Sequence, residues 1–202
     1  MSLPRQTLRL CIFLVLQCLL LGSAAWAAPA AVVVEGQRFE AAQRVAGADL
    51  VLNGTGVRAV AWFKGYAAGL YVPQKSPSTD ALLAQPGAKR LQLRMLQDVP
   101  PVEFVKALRK GMDRNTPEGE RAALHDRVEN FAALIMDAGK VKKGDVVDLD
   151  LDPTRGMLFS LNGTLHGQAI PGADFYAALL RAFIGDKPYD DRLKAGLLGR
   201  PY

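Results

Sequence analysis

The stretch that decides the fold is Leu52-Asn-Gly-Thr-Gly-Val-Arg58, continued a few residues later by Lys64-Gly-Tyr-Ala-Ala-Gly-Leu-Tyr-Val72. Its β-branched, apolar and aromatic residues, punctuated by glycine, predict two strands, Gly56 to Phe63 and Tyr66 to Val72. Lys64-Gly65 is the expected tight turn between them. Side chains alternate faces along a strand, which puts Arg58 on the side of Val60 and Trp62. Arginine stays charged and presents a planar donor fork that fits a carboxylate or enolate. Tyr66 adds a hydroxyl donor on a rigid ring. One guanidinium and one phenol on an apolar surface predict a pocket for an oily molecule with an anionic end. The plainer reading is a structural arginine that snorkels, or pairs with an acid at the sheet edge.

Outward from this pair, Val32 to Val34 and Leu50 to Leu52 read as short strands, and Lys89 to Leu96 as a strand with one wet face. Pro100-Pro101 ends extended pairing and opens a helix, in which Val102, Val105, Leu108 and Met112 recur at helical spacing. A second helix is expected from about Pro117 to Ala138, with Leu124, Val128, Phe131 and Ile135 on one face and Gly139 at its end. Asp145 to Leu151 alternates strictly, and Asp148, Asp150 and Asp152 read as a solvated strand face. Asn162-Gly163 between Met157–Leu161 and Thr164–Gln168 is the strongest hairpin signal in the chain. Two helices close it, Ala173 to Ile184 and about Tyr189 to Leu198, parted by Gly185-Asp-Lys-Pro188. Strands punctuated by blocks of helix argue for an α+β domain, with helices layered on an antiparallel sheet.

Residues 1–27 read as a cleavable signal peptide. Arg5 and Arg9 precede an apolar run from Leu10 to Leu21, and Ala25-Trp-Ala27 offers small residues where a signal peptidase reads. The run is shorter than the ~20 residues that span a bilayer. A soluble protein in the periplasm or outside the cell is expected after cleavage, with no stable membrane anchor. Residues 28–202 then form one domain of 175 residues, long enough for a core of its own. Cys11 and Cys18, the two cysteines, both lie in the signal segment, so neither disulfides nor thiolate chemistry is expected in the domain. The formal charge of +5 falls to +3 without Arg5 and Arg9. That is too even a balance for a protein that draws its affinity from phosphate backbones, and no nucleic-acid partner is expected.

Metal binding lacks ligands, since His125 and His166 are the only histidines and stand in different element types. The aspartate row has neither the glycine nor the terminal glutamate of a calcium loop. No Gly-x-Ser-x-Gly elbow occurs, and Ser160 has no evident base. Gly54-Thr-Gly56 is too short for a phosphate-binding loop and is better read as serving turn formation and close backbone approach. Asn53-Gly-Thr55 and Asn162-Gly-Thr164 match a glycosylation acceptor but double as turns. No cofactor is expected.

At these residues the chain resembles the chalcone isomerase-like superfamily, in particular its exported bacterial branch. Besides the two opening segments, the resemblance rests on Asn162-Gly163 with Gly167 and on Asp174-Phe-Tyr-Ala-Ala-Leu-Leu180. Ile184-Gly-Asp-Lys-Pro188 and Leu193-Lys-Ala-Gly-Leu-Leu-Gly199 complete it. The resemblance implies an open-faced β-sandwich, a large antiparallel sheet carrying a layer of α-helices, with a ligand cleft between. Arg58 matches the arginine that stabilises the oxyanion in the plant isomerases. Phe104 and Gly111 stand where those enzymes keep a tyrosine and an asparagine, so most of the donor network such catalysis needs is missing. Tyr66 paired with Arg58 is instead similar to the family's non-catalytic fatty-acid-binding members, where the two hold a carboxylate. No catalytic residue is assigned. The first reading is a non-catalytic protein that binds a fatty acid or similar amphiphilic anion, with Trp62, Phe104 and Leu108 about its tail. Alternatives are an isomerase or intramolecular lyase acting on an enone, and a cell-envelope structural or interaction protein whose cleft is closed.

Overall fold

The computed structural model describes residues 30–60 and 63–200. The expected signal peptide and Trp62 lie outside the described residues. Strands β1 (Val32–Val34) and β2 (Gln37–Phe39) form a small ribbon. Seven strands then build one antiparallel sheet in chain order: β3 (Ala42–Val45), β4 (Ala48–Val60), β5 (Phe63–Val72), β6 (Lys89–Met95), β7 (Val146–Asp152), β8 (Gly156–Leu161) and β9 (Thr164–Leu165). Helix α1 (Thr79–Ala84) follows β5; α2 (Pro101–Asn115) and α3 (Glu118–Ala138) separate β6 from β7; α4 (Ala173–Ile184) and α5 (Asp191–Leu197) close the chain. This is the α+β open-faced sandwich expected. No described helix is long and apolar enough to cross a membrane.

The helices cover one face of the sheet. Leu70, Leu91, Leu93 and Leu149 meet Leu108, Phe131, Phe175 and Leu179 in a single core. The Phe131 ring stands edge-on to Phe159 and Phe175, with centroids 5.7 and 6.2 Å away. On the opposite face Phe39, Val45, Leu50, Leu52 and Tyr71 make a second, smaller core. The Asn162-Gly163 hairpin forms as expected, both residues at positive φ (52° and 77°), the backbone a type I′ turn requires.

Three expectations are corrected. Lys64-Gly65 is not a turn. Arg58 pairs with Tyr66, Ala59 with Lys64 and Val60 with Phe63, so Gly65 is the extra residue of a β-bulge. A glycine inside a strand pattern signals turn and bulge alike, and only the register separates them.

Gly54-Thr-Gly56 makes no turn either. Both glycines lie inside β4, where α5 rests directly on the backbone. A Cβ at Gly54 would meet the Gly196 and Leu197 carbonyls, one at Gly56 the Leu193 carbonyl, and one at Gly196 the Thr55 carbonyl. Asn53 secures the contact: its Nδ2 donates to the Leu197 carbonyl at 2.7 Å, and its Oδ1 accepts from Ser76 N at 2.8 Å. Buried and doubly bonded, its amide is no accessible glycosylation acceptor in the fold.

The aspartate row is not solvated. Asp148 and Asp150 are each only 8% exposed. Their cross-strand neighbours are Gln92 and Arg90. Arg90 holds Asp150 in bidentate fashion, both bonds 2.6 Å, and also donates to Gln43 of β3; Gln92 donates to Asp148 at 2.8 Å. Burial pushes the Asp150 carboxyl up, against the pull of Arg90. Alternation assigns side chains to faces but does not say what covers a face, and here Arg90 and Gln92 of β6 lie on the carboxylates.

Candidate ligand site

Arg58 and Tyr66 are direct cross-strand partners on β4 and β5. Both line one cavity between the sheet and the helices, so the bulge at Gly65 brings the two predicted residues together. Leu93 and Leu149 of the sheet, Phe104 and Leu108 of α2, Phe131 of α3 and Phe183 of α4 supply apolar walls. The cavity has a volume of about 110 Å³. Phe104 and Leu108 stand where the sequence puts the apolar part of the site.

Arg58 is the only charged side chain among the described lining residues. It is held on one edge: Nη1 donates to the Ala59 carbonyl at 2.9 Å and lies 3.5 Å from Oδ2 of Asp190. Asp190 is itself fixed as the N-cap of α5. Its Oδ1 accepts from Arg192 N at 2.8 Å and Leu193 N at 3.0 Å, and its Oδ2 from Ala59 N at 3.3 Å. The pairing with an acid, foreseen as the plainer reading, therefore exists, but it engages only Nη1. Nε and Nη2 make no hydrogen bond among the described residues, which leaves a two-pronged edge of the kind that grips a carboxylate.

Tyr66 is 9% exposed, and its hydroxyl has no hydrogen-bond partner among the described residues. Burial pushes the phenol well above its ordinary value, with Arg58 pulling down and Asp190 pushing up. It is a neutral donor at any physiological pH.

Sequence reasoning missed Tyr189 and Asp190. Tyr189 packs edge-on against Phe183 (4.9 Å, 88°), and its hydroxyl donates to the Ala107 carbonyl at 3.0 Å. Burial raises its phenol, Tyr66 adds to the rise, and Arg58 opposes it. Its ring occupies the space over Gly111. Two signals were available: an aspartate just before a short helical pattern marks an N-cap, and a lone glycine inside a helix marks close packing. His125 is exposed on α3, and no group of three His, Cys, Asp or Glu side chains placed to hold a metal occurs among the described residues.

A curled antiparallel sheet with helices on one face, enclosing an apolar cavity with one charged group, defines the class of protein. The chain matches the chalcone isomerase-like family over residues 31–199 and belongs to that family. No curated protein matches it. Among solved structures it is similar to a fatty-acid binding protein of Arabidopsis thaliana, with 17% identity and a TM-score of 0.65 over 84% of this chain and 96% of that one. At that identity the likeness is one of fold.

Proposed function

We propose that this is an exported, non-catalytic protein of the exported bacterial branch of its family, which binds a fatty acid or similar amphiphilic anion in the cleft between sheet and helices. The observation that carries the reading is the Nε/Nη2 edge of Arg58, without a hydrogen bond among the described residues, next to the Tyr66 hydroxyl, likewise without a partner among them, both lining one apolar cavity. A carboxylate there takes two charge-assisted bonds from Arg58 and one from the neutral Tyr66 phenol, while its chain lies among Phe104, Leu108 and Phe131. The fatty-acid binding of the plant protein with this fold supports the ligand class. Open space beside Arg58 favours a ligand site over a closed cleft. Against turnover, Phe104 brings no polar group to the cavity, and Gly111 none to α2.

Native mass spectrometry and lipid extraction of the purified protein test this. Wild type is expected to carry an acyl ligand that Arg58→Ala loses. Equal occupancy in the two, or an empty wild type that takes up no added fatty acid, rejects the head-group role. Amino-terminal sequencing of protein recovered from the periplasm or medium tests export, with cleavage expected after Ala27.

A further inference from the structure

At the end of β6 remote from Tyr66 lies a second cavity, of about 310 Å³, that the fatty-acid reading does not use. Leu83, Leu151, Tyr176 and Leu180 line it, and so do the Gln85–Gly87 turn and Lys89. Lys89 is 4% exposed. Its amino group donates to the Gln85 carbonyl, just past α1, and pairs with no acidic side chain among the described residues. Helix capping accounts for that single contact. It accounts neither for the burial of a lysine without a counter-charge, which is costly for the ammonium form, nor for the apolar space beside it.

Such an amine is either neutralised by a bound anion or used as the free base. The carbonyl end of α1 beside Nζ disfavours an anion there. Burial, with no acid to oppose it, lowers the pKa of the amino group and favours the free base. A desolvated lysine in an apolar pocket is the form that condenses with carbonyl compounds.

We propose that Lys89 is the nucleophile of a second site, which takes an apolar aliphatic aldehyde as an imine. The ammonium gives a proton to water. Its lone pair adds to the aldehyde carbon while the carbonyl π pair moves to oxygen, and a proton passes from the nitrogen to that oxygen to give a carbinolamine. Loss of water then forms the C=N bond. Amine and aldehyde become imine and water, so no oxidant or reductant is required. The pocket admits the alkyl chain beside Leu83, Leu151 and Leu180.

Trapping with equimolar hexanal and cyanoborohydride at neutral pH, followed by peptide mass mapping, tests the site. The expected result is a single hexyl group, enriched several-fold at Lys89 over Lys75, Lys110 and Lys143, because the apolar cavity holds the alkyl chain beside the amine. Those three lysines are exposed, make no salt bridge among the described residues, and serve as the reference. In urea the preference is expected to vanish. Lys89→Arg, which keeps a donor for Gln85, is expected to lose the adduct while binding fatty acid as wild type does. Label spread over exposed lysines with Lys89 unmodified, or the same preference in urea, overturns the proposal and leaves the Arg58 site untouched.

Discussion

The ring of Tyr189 lies against the bare backbone of Gly111, and its hydroxyl reaches along α2 to the Ala107 carbonyl at 3.0 Å. A glycine inside a helix costs roughly 1 kcal/mol relative to alanine. Here that cost is offset by the packing it permits, because a Cβ at Gly111 would overlap the tyrosine. The same ring lines the cavity that holds Arg58 and Tyr66.

Gly111→Ala is therefore expected to destabilise the protein by about 1–3 kcal/mol through overpacking, although alanine is the better helix former. In a Tyr189→Ala background the same change is expected to stabilise, by up to roughly 1 kcal/mol. Urea midpoints of the four proteins check the reversal of sign. A stabilising Gly111→Ala in the wild-type background would show that Tyr189 does not hold this place.

Asp190 competes with a ligand for Arg58 and also caps α5. Asparagine caps nearly as well as aspartate but carries no charge. Asp190→Asn is expected to leave stability almost unchanged and to raise affinity for a fatty-acid anion by up to about fivefold, the equivalent of roughly 1 kcal/mol for a partly exposed pair. Asp190→Ala additionally loses the cap, at about 1 kcal/mol. Displacement of a fluorescent fatty acid reads the affinity. A drop for Asp190→Asn would mean that Asp190 positions Arg58 more than it competes.

Backbone contact between β4 and α5 leaves no room for side chains. Gly54→Ala and Gly196→Ala are each expected to cost about 1–3 kcal/mol, toward the upper end because the opposing atoms are carbonyls that cannot rotate away. Both are also expected to weaken fatty-acid binding, since Tyr189, which lines the cavity, stands just before α5 and moves with it. Thermal unfolding and ligand titration on the same samples check both effects.

Four of the five tyrosines have phenols raised by burial: Tyr66, Tyr71 (pushed up to about 12), Tyr176 and Tyr189. In the unfolded chain they titrate near 10. Above about pH 10 the unfolded chain sheds protons that the folded one keeps, so stability falls as pH rises from there and is fully present below it. Phenolate absorbance is expected to lag well behind the tyrosine content until the fold gives way. Four or more phenolates appearing near pH 10 in still-folded protein would contradict this.

Much of the fold is legible in the chain. Apolar period two in β6 and β7, helical period in α2 and α3, the Pro100-Pro101 start, Gly139 and Asn162-Gly163 are local signals, each satisfied within a few residues of itself. Where local rules allowed two outcomes, tertiary contacts chose. Lys64-Gly65 is compatible with turn or bulge, and pairing with β4 made it a bulge. Val102, spaced like its buried helical neighbours, stays 44% exposed at the start of α2. Asp148 and Asp150 follow a solvated pattern, yet they are buried, and Arg90 and Gln92 compensate them.

Sequence alone determined the α+β class, the order of strands and helices apart from β2, β3 and α1, and Arg58 and Tyr66 as the polar pair of an apolar region. These follow from periodicity and side-chain chemistry, which act over a few residues. Only the tertiary structure decided that the pair shares a cavity, that Asp190 holds one edge of the guanidinium, and that Tyr189 closes the space over Gly111. The last two relations join residues about 80 to 130 positions apart. They exist because glycines on β4 and α2 let α5 and Tyr189 approach bare backbone, a fit that depends on shape in three dimensions and leaves no periodic trace in the chain.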